Sequence, residues 1–472
     1  MRMFPFVMAF SIGLSGLTAQ APLTVGADTR TDLHVTVYNS DIGLVKDTRS
    51  FSLARSGRLE VLLEDVASRI QSETVLPLSL TPENPLTVLE QNYEYDLLSP
   101  NTLLEKYVGK TVQLVTYNVD NQVVERKSGT LLSTNQGPVF QVGKDIHVNH
   151  PGHVILPEVP DELVARPSLR WMVEGEKGSH TVQVSYLTSG LSWKADYVLK
   201  VNQDATLGDL TGWITVNNES GIAYPDAALK LVAGDVNRVE RQPMKRGRRP
   251  VLAMMAEEAA LPEEEAFMEY HLYTVPWKTT LKDNQQKQIK LLSHTGIGVE
   301  RRYGTTIQQY IIRAPQSGPL ELPVNVQVVF QNTEQNQMGV PLPKGIVRIY
   351  SEDQAGTLQF AGEDRIDHTP KDEEVRLSLG KAFDLVVKAR QTGFERSGLT
   401  RQRLDSGYEI KLRNRKDEGD VTINVYAPLF GDWEIREESH EYVKVDAFTV
   451  RFPVAVPAGQ EVVLTYDVRV TF

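Results

Sequence analysis

Apolar and polar side chains alternate with a period of two along much of this chain. The clearest run closes the sequence. Val462, Leu464, Tyr466, Val468, Val470 and Phe472 fall on one side, and Glu461, Thr465, Asp467, Arg469 and Thr471 on the other, with Val463 the exception. Successive strand side chains point to opposite faces, so such a segment has one apolar face and one wet face. Leu33, Val35 and Val37 alternate with His34, Thr36 and Tyr38 in the same way, and Leu59, Val61 and Leu63 repeat the pattern. This is the pattern of half-buried antiparallel strands. The 33 glycines and 25 prolines supply the frequent turns that short strands need.

The chain has no cysteine, which excludes disulfides, thiolate metal sites, a cysteine nucleophile and a lipid-anchored cysteine. Stability must come from burial and strand pairing, which suits large β domains. Lys+Arg number 50 against 61 Asp+Glu, a formal net charge of −11. That balance argues against nucleic acid as a partner, because binding it needs a basic face that displaces counterions.

Residues 1–19 read as a secretory signal. Arg2 gives the positive start, and Phe4 to Leu17 is an uncharged, largely apolar run. Cleavage is expected after Ala19, with Ala27 as the alternative, because a cut after Ala21 would place Pro22 next to it. The run is shorter than the ~20 residues that span a bilayer, and no later segment is long and apolar enough. The mature chain is therefore expected to lack a transmembrane segment and to lie in the periplasm or at the cell surface.

Several units follow. A β domain is expected over residues 28–98, a small barrel-like insertion over 99–150, and a continuation of the first β region over 151–236. A charged linker over 237–270, a central β domain over 271–399 and a C-terminal sandwich over 400–472 complete the chain. In the insertion, Ser99-Pro100 reads as an N-cap and first helical residue, with Gly109 as the stop. Four short strands then fit Thr111–Asn118, Val123–Ser133, Pro138–Val142 and Asp145–Val148, which suggests a small SH3-like or Sm-like barrel. The linker carries a basic block (Arg238 to Arg249), Met254-Met255, and an acidic block (Glu257 to Glu269). It reads as a solvated connector, or as a docking segment whose methionines meet a partner. Turn signals every 8–12 residues after Thr400 are those of a fibronectin-like or immunoglobulin-like sandwich. The expected fold class is all-β: multi-domain antiparallel β-sandwiches with a barrel insertion and that C-terminal sandwich.

Chemistry is harder to find. His147, His150 and His153 form the densest imidazole cluster, and three neutral imidazoles could ligate zinc or copper. They sit where a strand enters a Pro-Gly turn, so His147 and His150 diverge unless the loop folds back; exposed loop histidines are the plain alternative. Gly362 to Pro370 gathers Glu363, Asp364, Asp367 and His368, either an acid/base set or a polar hairpin. Tyr186, Trp193 and Tyr197 are either a sugar-stacking platform or core aromatics. Ala233-Gly234-Asp235 follows a strand, but no helix pattern comes after it to hold a phosphate. No Gly-x-Ser-x-Gly elbow, phosphate-binding loop with lysine, or His-Glu-x-x-His occurs. No catalytic residue and no cofactor are expected.

Several motifs are similar to a known family. They are Tyr186 to Tyr197 (Tyr-Leu-Thr-Ser-Gly-Leu-Ser-Trp-Lys-Ala-Asp-Tyr), Val216 to Gly221 running on to Asp235, Gly362 to Ile366, and Gly380 to Asp384. Arg413 to Lys416, Gly431-Asp432-Trp433, and Val37-Tyr38-Asn39 with Gly43-Leu44-Val45 complete the set. Together these resemble the bacterial domain-of-unknown-function 4139 family, over nearly all of the chain after the leader. The resemblance implies an exported, β-rich protein with no assigned catalytic residues to carry over. Some relatives are mucoidy-inhibitor-like and hold a long coiled coil near the N-terminus; this chain lacks sustained heptads there. The expected function is a non-enzymatic binding or scaffolding role in the cell envelope, with an envelope protein or glycan as partner. The alternative is an exported hydrolase, glycan-active or metal-dependent.

Overall fold

A computed structural model describes residues 21–95, 99–150, 152–160, 163–164, 166–234, 263–267, 270–307, 314–353, 355–398 and 403–472, with 263–267 as backbone alone. The expected leader over 1–19 lies outside these residues, as does most of the charged segment. The regular structure of the described chain is almost wholly β, arranged as several multi-stranded, mostly antiparallel sheets packed as sandwiches. No helix among the described residues is long and apolar enough to cross a membrane.

Three cores result from the alternation. The largest packs a four-stranded sheet against an eight-stranded one and runs on under a ten-stranded sheet. Val35, Val37, Val61, Leu63, Trp171, Val184, Leu199 and Ile214 are all buried in it. The second core lies under the C-terminal strands and holds Tyr408, Ile410, Phe452, Leu464, Tyr466 and Val468. It also takes Leu322, Val324, Leu385 and Val387, so segments on both sides of residue 400 share it. Removing apolar surface from water at about 25 cal/mol per Å² is the main stabilising term in each core.

One strand belongs to both large cores. Gln285–Thr306 is 22 residues long. It pairs with Leu207–Asn218 over residues 285–298, with Asn325–Gln331 over 299–304, and with Val421–Pro428 over 303–306. Its Ile289, Leu291, Ile297 and Val299 lie in the first core, and Tyr303 lies in the second.

The third core is small: Tyr107, Val112, Leu114, Leu131 and Phe140. The expected barrel over 99–150 does not close. Its strands form one open sheet, in the order Asp145–Val148, Val139–Val142, Val123–Ser133, Thr111–Tyr117, His153–Ile155. The fifth strand comes from beyond residue 150 and covers the free edge of Thr111–Tyr117. Among the described residues that strand does not pair with Asp145–Val148, so two edges stay apart. The helix Pro100–Lys106 begins in a capping box: Ser99 Oγ accepts from the Thr102 amide at 3.1 Å, and Thr102 Oγ1 from the Ser99 amide at 2.9 Å. Leu104 from this helix packs against the small core.

Part of the linker expected over 237–270 is strand. Residues 235–262 and 268–269 lie outside the described set. Glu263–Phe267, however, is a strand that pairs antiparallel with Tyr270–Thr274. Three successive glutamates conceal it from a period-two reading; among the described residues it lies at the edge of its sheet.

Between the first two sheets lies a buried charge cluster. Asp47 and Arg49 point the same way from strand Ile42–Leu53 and are 1% and 0% exposed. Arg49 donates to Asp47 Oδ2 from Nε at 3.1 Å and from Nη2 at 2.8 Å. Its Nη1 donates to the carbonyls of Val25 at 2.8 Å and Glu64 at 2.7 Å, both in the facing sheet. Arg30 grips the same carboxylate in two bonds of 2.9 Å. Burial pushes the Asp47 carboxyl up, but Arg30 and Arg49 outweigh it and hold it below the usual carboxylate range.

Asp47→Ala should cost about 3–5 kcal/mol in urea unfolding, because it leaves Arg49 buried without its anion. The pair Asp47→Ala with Arg49→Met should cost less than the sum of the two single changes. The pH dependence follows from the lowered carboxyl. Its contribution is fully present above about pH 4, the unfolded value, and is lost as pH falls through the lower folded one. Unfolding free energies measured between pH 5 and the acid limit should therefore fall more steeply for the wild type than for Asp47→Asn.

Candidate functional site

The long strand creates a gap as it changes partners. Residue 298 is the last to pair with Leu207–Asn218, and residue 303 is the first to pair with Val421–Pro428. A cleft of about 400 Å³ opens at this handover. Arg301, Arg302 and Tyr303 line one wall, Thr422 and Asn424 another, and Arg451 from strand Thr449–Val456 a third.

The groups inside differ in how far they are committed. Arg302 is held by two carboxylates, Glu300 at 2.7 Å and Glu374 at 3.0 Å. Arg301 donates from Nη2 to the Gln203 carbonyl at 2.8 Å. Asp420, also in the wall, accepts from the Ala458 amide at 3.1 Å. Arg451 stands apart. Its Nε is buried and finds no acceptor among the described residues. A buried donor left unpaired costs about 1–3 kcal/mol, and more when it is charged.

Tyr303 ties the cleft to the second core. Its carbonyl accepts from Asn424 Nδ2 at 3.2 Å in a buried bond. Its hydroxyl accepts from Lys416 Nζ at 2.8 Å, and that ammonium also sits 4.8 Å from the ring centre. Burial pushes the phenol up, yet Lys416 and Arg301 outweigh it and lower it from its ordinary value. Four cations thus gather about one cleft in a chain of net charge −11. Two carboxylates share the wall, and both accept hydrogen bonds from other protein groups. The arrangement is suited to holding an anion.

The residues singled out from sequence lie elsewhere. His147 and His150 approach each other, ring centres 5.9 Å apart, while His153 makes a T-shaped contact with Tyr117, ring centres 5.3 Å apart. His150 Nδ1 accepts from the Gly152 amide at 3.0 Å, which orients that ring within its own turn. No three His, Cys, Asp or Glu side chains among the described residues gather as a metal would need. Around Gly362–Pro370, Asp364 Oδ2 accepts from the Ser378 amide at 2.7 Å, and His368 Nδ1 from the Lys344 amide at 3.3 Å. These bonds stitch neighbouring strands and turns together. The aromatic set is core: Tyr186, Trp193 and Tyr197 are 1%, 3% and 0% exposed. Trp193 Nε1 donates to the Val232 carbonyl at 3.0 Å, and the Tyr197 hydroxyl to that of Pro343 at 2.8 Å. A sugar cannot stack on rings enclosed in this way.

Arg301, Arg302, Tyr303 and Arg451 were not singled out from sequence. The adjacent Arg301-Arg302 pair within a strand was the one available signal. The chain matches no family model and no curated protein.

Lys416→Met should raise the Tyr303 phenol, because burial then acts with one cation fewer opposing it. Ultraviolet titration of the tyrosinate band, with Tyr303→Phe as the subtraction control, checks the direction.

Proposed function

We propose that this chain is an exported cell-envelope protein that acts by binding and scaffolding, and that the basic cleft is its recognition site. The observation that carries the reading is the cleft's position. It lies where one strand passes from the first core to the second, so one wall comes from a strand that both cores fix and the others from strands of the second core. Rigid elements hold a binding geometry more closely than loops do. The opening communicates with solvent, as suits a group presented by a larger envelope component, whether a protein or a glycan.

The leader-like first residues and the resemblance to the 4139 family support export to the periplasm or cell surface. The C-terminal strands support an immunoglobulin-like or fibronectin-like module within the scaffold. There a five-stranded sheet containing Arg403–Asn414 and Glu461–Thr471 shares a core with Val421–Pro428 and Thr449–Val456.

The test is a photo-crosslinking residue placed at Thr422, an exposed position in the cleft wall, in cells that make the full chain. Discrete adducts with an envelope component are expected, together with loss of the leader from the recovered protein. Recovery of the uncut chain in the cytoplasmic fraction would sink the export part. Turnover of a defined compound by the pure protein would replace binding with catalysis.

A further inference from the structure

The geometry points to a compact oxyanion, a carboxylate or a phosphate group, as what the cleft beside Arg451 recognises. This deepens the binding reading above and rests on the same cleft.

The first argument is the state of Arg451. A guanidinium is a planar fork of donors that matches a carboxylate or phosphate with two parallel bonds. Arg451 lines the cleft while its Nε is buried without an acceptor among the described residues, so an oxyanion that draws the guanidinium toward the opening supplies the missing partner. A neutral ligand hydroxyl would satisfy the donor without meeting the charge, whereas an oxyanion does both.

The second argument is the surrounding charge. Arg301 and Arg302 line the same cleft as Arg451 from the opposite strand, and Lys416 stands behind Tyr303 on a 2.8 Å bond to its hydroxyl. Against them stand Glu300 and Asp420 in the lining and Glu374, the second partner of Arg302 at 3.0 Å, so four cations face three carboxylates. Glu300 is neutralised by Arg302 at 2.7 Å, and Asp420 is bonded to a backbone amide. The local excess is therefore positive, in a protein whose overall charge would repel anions. Local attraction has to outweigh a screened distant repulsion, and screening acts mainly on separations beyond ~10 Å.

The third argument is the neutral lining. Thr422 and Asn424 stand beside Arg451 on the neighbouring strand, and a hydroxyl can complete an oxyanion's bonds. Gly304 lies on the long strand directly opposite Asn424. A Cβ there would come within 3.2 Å of the Tyr426 ring, so the missing side chain keeps the backbone and that ring close beside the cleft. At about 400 Å³ the space accepts a group of monosaccharide size and not an extended polymer.

Calorimetric titration of the purified full chain tests this with three probes at constant ionic strength: inorganic phosphate, glucuronate and neutral glucose. Saturable one-to-one binding of phosphate or glucuronate is expected, with glucose silent. The stronger of the two anions identifies the phosphate or the carboxylate as the recognised group. Arg451→Gln should weaken that binding about tenfold or more, the loss of one charge-assisted contact. Arg451→Lys, which keeps the charge but not the fork, should fall between them. Arg126→Gln, an exposed arginine of the small domain, should bind as the wild type. Circular dichroism and melting of each variant establish folding, and Arg451→Lys carries the test if the glutamine variant does not fold. Wild-type protein that binds neither anion better than glucose would overturn the inference, as would undiminished binding by a folded Arg451 variant. Either result leaves the crosslinking outcome untouched, so failure of the oxyanion is distinguishable from failure of the binding role.

Discussion

The structure depends on a single strand that serves two interiors. Gln285–Thr306 buries Ile289, Leu291, Ile297 and Val299 in one core and Tyr303 in the other, without a break in the strand between them. A flexible connection would let two sandwiches drift, since contacts between domains are commonly small and polar. Here the connection is itself pleated and hydrogen-bonded on its way across. The cost is a short stretch where the earlier neighbour has ended and the later one has not begun. The cleft is that stretch. The other edge of the strand stays paired with Asn325–Gln331 there, so only one side is open, and that side carries Arg301 and Arg302.

The buried Asp47–Arg49–Arg30 cluster plays a different part. Leucine and valine in its place would fill a core without saying how one sheet sits over the other. Arg49 reaches two carbonyls of the facing sheet, one on Leu23–Val25 and one at the end of Gly57–Glu64. Buried ion pairs are weak sources of stability but can select one arrangement over its neighbours. A shift of the facing sheet by one residue would take both carbonyls away from the guanidinium.

Much of the architecture was legible, and the misses have physical reasons. In the last strand Leu464, Tyr466, Val468 and Val470 are buried as their alternation requires, and Val463, the exception, is 39% exposed. Phe472 belongs to the apolar series by spacing but is 47% exposed, because the strand ends at Thr471. The barrel reading failed because closure is a property of strand order, and the fifth strand joins from a distance the local pattern does not encode. Asp47 and Arg49 were invisible because a charged pair at inward positions looks like the outward face of a strand. The cleft escaped for another reason: Arg301 and Arg451 are neighbours only through Val421–Pro428, which joins their two strands. The histidine triplet misled in the opposite sense, since closeness in sequence did not bring three rings together.

A strand shared between two interiors also bears on how such a chain can be inherited. Proteins that diversify by recombination trade pieces whose ends fall in loops, where a new neighbour is spliced on with little damage. A crossover between Val299 and Tyr303 would instead hand each descendant half of a pleated element and a raw sheet edge. The two sandwiches must therefore travel together, and lineages that keep one would be expected to keep the other.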